Sequence, residues 1–154
     1  MFKRRGWKVT AAAVVGTAGF LVAPAAAFAD KTIAAGASGS TCTAYKAVIP
    51  TNLSWRTCAH ATASLIYFTT WIINTGSGGV FVDNVQRDGH LVGSIEGYAC
   101  AGIDNYYAPA NSTTHTASTE CDFNRGGAKT IFATGVVREG SYSGKADSPK
   151  LILK

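Results

Sequence analysis

Three histidines, nine carboxylates, four cysteines and one glycine-rich stretch are the parts of this 154-residue chain that can carry chemistry. His60, His90 and His115 lie in three different segments. No H-x-x-x-H pair sets two imidazoles at one metal. Glu120 and Asp122 flank Cys121, and residues two apart share one side of a strand, so they form the nearest thing to a carboxylate pair. Their plain reading is two solvated edge charges. No serine sits in G-x-S-x-G. "TGSGG" (75–79) lacks the lysine and the strand-to-helix context of a phosphate loop. Asp83, Asp88 and Asp104 are loop candidates for calcium, but no D-x-D-x-D-G run supports one. The expectation is a chain with no catalytic residue, cofactor or metal, so function is sought in binding surfaces.

The cysteines point to a compartment. "MFKRRGWK" is a basic head, "VTAAAVVGTAGFLVAP" an apolar run, and "AAAFA" ends in small residues with Ala27 and Ala29 where a signal peptidase reads. Residues 1–29 are expected to be a secretory signal cleaved before Asp30. The apolar run is short for a membrane span. Four of the fourteen Lys/Arg residues and none of the nine Asp/Glu lie in that leader. Residues 30–154 then hold ten basic against nine acidic residues, which leaves no basic footprint for nucleic acid. The expected setting is extracellular, with no membrane contact once the signal is removed. Cys42, Cys58, Cys100 and Cys121 all lie in the exported part, and an even count there reads as two disulfides. Of three possible pairings, Cys42–Cys58 and Cys100–Cys121 join cysteines close in sequence. A zinc site would require C-x-x-C spacing, which is absent.

Short strands must position these groups. Residues 30–41 are rich in Gly, Ala and Ser and are expected to be flexible. Residues 42–154 are expected to form one domain. "CTAYKAVIP" and "TNLSWRTCAH" read as short strands, and "ATASLIYFTTWIIN" as the strongest one, dense in aromatic and β-branched residues. "TGSGG" turns into "VFVDNVQ", and "RDGH" carries a D-G turn signal. "LVGSIEGYAC", "STTHTASTECDF" and "AKTIFATGVVRE" follow, then a loop "GSYSGKADSP" and "KLILK". Seven to eight strands with regular turn signals and no helical period predict an all-β antiparallel sandwich.

"IYFTTWIINTGSGGVFVDNVQRD", then "YYAPANSTTHTASTECDF", then "AKTIFATGVV" resemble an immunoglobulin-like domain of bacterial secreted and surface proteins, the conserved-repeat (DUF11-like) type. Asn74-Thr75-Gly76 matches its first turn, and Ala108-Pro109-Ala110 its second in part, the usual glycine being replaced. The resemblance covers roughly residues 64–138. It implies an immunoglobulin-like sandwich with a structural or adhesive role and no catalytic motif. Such domains usually come in tandem, and this chain has room for one. A second, smaller likeness is to actinobacterial secreted α-amylase inhibitors, two-disulfide sandwiches with an exposed Trp-Arg-Tyr. Trp55-Arg56 lies between Cys42 and Cys58, with Thr57 in place of the tyrosine.

The family pattern turns Ile66, Phe68 and Ile72 inward, which leaves Leu65, Tyr67, Thr69, Trp71 and Ile73 facing out. An exposed Tyr67, Trp71 and Ile73 stripe is an interaction surface unless a loop or the N-terminal segment covers it. Tyr106 and Tyr107 are expected at a loop tip, where aromatics suit protein or sugar contacts. The segment around Ile33 has mild strand character and is a candidate for adding to a sheet edge of a partner. The expected function is a secreted non-catalytic protein-binding module whose partner is another secreted protein. Its likeness to small actinobacterial exported proteins suggests an adaptor or assembly subunit, with a secreted antibacterial toxin particle as one host. The alternatives are an inhibitor of a secreted hydrolase such as α-amylase, acting through Trp55 and Arg56, and a carbohydrate-binding module acting through Tyr106 and Tyr107.

Overall fold

The computed structural model describes residues 29–154. The expected signal peptide, residues 1–29, lies outside the described residues except for Ala29. Thirteen strands follow in chain order: β1 (Lys31–Ile33), β2 (Gly39–Cys42), β3 (Lys46–Val48), β4 (Leu53–Ala61), β5 (Leu65–Asn74), β6 (Val80–Leu91), β7 (Gly97–Tyr98), β8 (Ile103–Ala108), β9 (Ser112–His115), β10 (Asp122–Asn124), β11 (Lys129–Glu139), β12 (Tyr142–Asp147) and β13 (Leu151–Leu153). They make two sheets. One runs β1-β13-β11-β6-β7, with β12 also on β11 and β8 also on β6. The other runs β10-β5-β4-β2, with β3 also on β4 and β9 also on β5.

The all-β sandwich is as the sequence predicts, but the count of seven to eight strands is too low. The long strands β4, β5, β6 and β11 are continuous, while their neighbours are broken in two. The breaks have local causes. Between β12 and β13 stands Pro149, which has no N–H to give a ladder. Ser148 fills the gap: its hydroxyl accepts from the Ala133 N–H at 2.9 Å, and its own N–H donates to the Ala133 carbonyl at 2.8 Å. The pairing is antiparallel throughout except between β1 and β13, which run parallel.

Apolar side chains alternate into the space between the sheets. From β5 come Ile66, Phe68 and Ile72, from β4 Leu53, Trp55 and Ala59, from β6 Val82 and Val85, and from β11 Ile131 and Val137, all at most 3% exposed. Each large side chain contributes about 1.5–3 kcal/mol by leaving water. The core has two centres. One gathers Ile33, Ile66, Ile131, Leu151 and Leu153 around Phe68, and the other gathers Val48, Ile72, Val82 and Val137 around Trp55. The Trp55 indole N–H donates to the Tyr142 hydroxyl at 3.0 Å.

Three expectations about segments change. "RDGH" is no turn, because β6 passes straight through it. Gly89 is there since the Phe68 ring lies where a β-carbon would stand. The expected loop over 140–149 contains β12. Residues 30–41 are not a flexible leader: they form β1 and β2, and Ile33 is buried in the core. Arg125 fixes them. It is itself buried, and it donates to the carbonyls of Ala37 at 2.6 Å, Thr62 at 2.7 Å and Ala34 at 2.9 Å. A charge taken out of water needs such partners.

Both disulfides pair as expected, Cys42–Cys58 and Cys100–Cys121. The first joins the facing residues of β2 and β4. The second ties the loop before β8, in one sheet, to the turn that leads into β10 in the other.

Candidate functional site

The outward face of the β2-β4-β5-β9 layer carries the densest set of polar and aromatic side chains. Strand alternation decides its membership. On β4 the buried Trp55, Thr57 and Ala59 look inward, so Arg56, Cys58 and His60 look out. On β5, Tyr67, Thr69, Trp71 and Ile73 look out. Register then pairs Arg56 with Trp71, Cys58 with Thr69, His60 with Tyr67, and Trp71 with His115 of β9.

These cross-strand pairs build two linked groups. The His60 ring stacks on Tyr67, with centroids 4.5 Å apart and planes 4° from parallel. Its Nε2 lies 2.8 Å from the Thr69 hydroxyl, and the Trp71 indole N–H donates to that same hydroxyl at 3.0 Å. Thr69 is 1% exposed, so water does not complete this set. Burial pushes the His60 imidazole down to about 4, and the positive charges of His115 and Arg56 add to the effect. In the second group the Arg56 guanidinium lies 4.7 Å from the centre of the Tyr45 ring and 5.2 Å from that of Trp71. Trp71 also meets the His115 ring at 4.6 Å. The Arg56 Nε is buried and makes no hydrogen bond.

The residues expected to bind a partner separate in space. Tyr67, Trp71 and Ile73 share this face and are half-buried, as the alternation of β5 requires. Ile33 is in the core, paired through β1 to β13, so it is not a strand held out to another protein. Tyr106 and Tyr107 are not a loop tip. They are consecutive residues of β8 on opposite faces. Tyr106 packs against the Trp55 core, and burial raises its phenol pKa. Tyr107 is exposed on the other sheet beside Phe81, at 4.9 Å between ring centres. Trp55 is fully buried and out of reach of any partner, while its neighbour Arg56 faces out. Glu120 does not act with Asp122: it pairs with the buried Arg87 at 3.0 Å. Of the histidines, His60 and His115 reach one face, and His90 stacks on Phe132 in the other sheet. Among the described residues no group of three or more His, Cys, Asp or Glu side chains is placed to hold a metal.

Tyr45 is the member that the sequence reading passed over; Thr69 stood on the expected outer face, and His115 was named only as one of three separate histidines. A signal for the β4 side was present. "WRTCAH" alternates, and a Cys58 bridged to a neighbouring strand on the outer face carries Arg56 and His60 with it. Tyr45 and His115 reach the site from β2–β3 and β9, which no local pattern foretells.

The molecule is therefore a disulfide-stapled two-sheet β-sandwich with an aromatic and cationic outer face. No family model, curated protein or solved structure matches the chain.

Proposed function

We propose that the protein is a secreted, immunoglobulin-like, non-catalytic protein-binding module. It serves as an adaptor or assembly subunit of an extracellular complex and docks through the outer face of β4 and β5. One observation carries this reading. Tyr67, Trp71 and Ile73 stand on a sheet face with Tyr45 and Arg56, and the segment that might have covered it, residues 30–41, is instead built into the sheets at β1 and β2. Large aromatics and arginine on a pre-formed strand surface are the residue types that dominate binding energy between proteins. The two disulfides support an oxidising compartment. Among the described residues no helix is long and apolar enough to cross a membrane.

The test is affinity capture of the tagged protein from the culture supernatant of its own host, with co-eluting chains identified by mass spectrometry. Wild type should retrieve a stoichiometric companion, and Trp71→Ala should lose it while Tyr107→Ala keeps it. A wild-type protein that elutes alone would end the adaptor reading. A second reading, carbohydrate binding, has its own observation: the exposed Phe81 and Tyr107 rings lie side by side on the opposite sheet, a platform of the kind that a pyranose ring can cover. Retention on insoluble polysaccharide, abolished by Tyr107→Ala and unchanged by Trp71→Ala, would establish it in place of the first.

A further inference from the structure

Arg56 is a cation that the chain positions and leaves unmatched. Its guanidinium carbon lies over the Tyr45 ring at 4.7 Å and over the Trp71 ring at 5.2 Å. Trp71 is in turn held by His115 and by its indole hydrogen bond to Thr69. These contacts hold the guanidinium, whose N–H donors lie in its own plane. Among the described residues no carboxylate pairs with Arg56, and its buried Nε has no acceptor. The buried Arg87 and Arg125 differ in having acceptors for their terminal nitrogens, although the Arg87 Nε also makes no hydrogen bond. Arg87 reaches Glu120 and the Ala101 carbonyl, and Arg125 reaches three carbonyls. The terminal nitrogens of Arg56 make no hydrogen bond and are not buried, so they, and not Nε, are the donors that a ligand's acceptor reaches. On the outward face of this sheet the nearest acidic position in the register is Asp122, which sits level with Tyr67 and four residues along β5 from Trp71.

We propose that Arg56 is the anchor point for an aspartate or glutamate side chain of the partner, bound beside the Tyr45 and Trp71 rings. This rests on the reading of the face as a docking surface and names the chemistry that the surface selects. A carboxylate carries one charge and two coplanar acceptors, which match one fixed guanidinium fork. A phosphoryl group carries up to two charges and favours clusters of arginines, whereas this face offers a single arginine beside two imidazoles. Ile73 and Trp71 beside this anchor add apolar contact for the residues that flank the acid.

Two experiments separate the failure of this inference from the failure of the docking reading. The first needs no partner. The Arg56 Nε–H and Trp71 indole resonances are followed by NMR as N-acetyl-glutamate methylamide is added to the full exported protein at constant ionic strength, with N-acetyl-glutamine methylamide and sulfate as comparisons. A saturable shift with the glutamate probe alone is expected, and Arg56→Lys should reduce the Trp71 response at least threefold with unchanged melting temperature. Equal shifts with the glutamine probe or with sulfate, or no saturable shift, would overturn the proposal. The second is the supernatant capture repeated with Arg56→Lys and Arg56→Gln. Loss of the companion at least tenfold in both is expected. Undiminished capture by both variants refutes the anchor and leaves the docking surface standing, whereas a wild type that captures nothing refutes the docking surface and leaves the titration to decide on Arg56.

Discussion

Acidification should destabilise this protein through one residue, His60. The Trp71 indole can only donate, and it gives its hydrogen to the Thr69 oxygen at 3.0 Å. The buried Thr69 hydroxyl lies 2.8 Å from His60 Nε2 and has no other acceptor for its hydrogen among its hydrogen bonds, so in the neutral Nδ1–H tautomer of His60 it donates to Nε2. A proton arriving at Nε2 sets a second donor against Thr69 and leaves the threonine hydrogen in need of another acceptor. It also adds a positive charge beside Arg56 and His115, and this with burial is why His60 in the folded protein titrates at about 4 instead of 6.5. Between those two values the unfolded chain holds more protons than the folded one, so stability rises with pH across that window. The contribution is complete above 6.5 and is lost as pH falls towards 4. At about 1.4 kcal/mol per pKa unit the loss is about 3 kcal/mol, a large share of the roughly 5–15 kcal/mol typical of a domain. Urea unfolding of wild type and His60→Gln at about pH 7.5 and about pH 4 isolates it, since the carboxylates titrate equally in both. Glutamine keeps an acceptor for Thr69 and does not titrate. Wild type should lose about 2–3 kcal/mol more than the variant on acidification. Equal losses, within about 0.5 kcal/mol, would refute the relay and its protonation cost.

Three further outcomes follow from the packing. Trp55→Ala should cost about 3–5 kcal/mol by calorimetry or chemical unfolding, and Trp55→Phe about 1–2 kcal/mol, because the fully buried indole fills one core centre and satisfies Tyr142. Arg87→Ala should cost more than about 3 kcal/mol, while Glu120→Gln costs less than about 1 kcal/mol, because the arginine side chain is 0% exposed and holds backbone carbonyls whereas the glutamate side chain is 58% exposed. Gly89→Ala should lose about 1–3 kcal/mol through collision with the Phe68 ring, and Phe68→Leu in the same chain should recover part of that loss in a double-mutant cycle.

Local patterns carried the reading of the strands well where the chain alternates strictly. In the β5 segment "LIYFTTWIIN" both faces carry apolar residues; the family resemblance turned Ile66, Phe68 and Ile72 inward, and alternation then put Tyr67, Trp71 and Ile73 outside, as the structure has them. The disulfide pairing also followed from sequence proximity. Glycine was the main source of error. In "RDGH" it suggests a turn, yet at Gly89 it answers to a ring from the opposite sheet, a contact that no window around residue 89 contains. Residues 30–41 look too small and polar to order themselves, and they are ordered by Arg125, about ninety positions away. Trp55 reads as an exposed recognition residue beside Arg56, but β4 sends the two to opposite faces. The face itself needed register. Arg56 meets Trp71, and Trp71 meets His115, only once β4, β5 and β9 are aligned side by side.

The pairing of β1 with β13 sets a schedule for folding. Lys31 is level with Leu151 and Ile33 with Leu153, and the Lys150 N–H reaches the Asp30 carboxylate 120 positions earlier. Ile33, Leu151 and Leu153 together wall one side of the Phe68 core. Until residues 151–153 have been made, that wall is missing and β1 has no neighbour. Contacts this distant in sequence are slow to form, since a long loop must close before they return anything. β13 thus works as a clasp: it gives β1 its partner and closes one side of the Phe68 core.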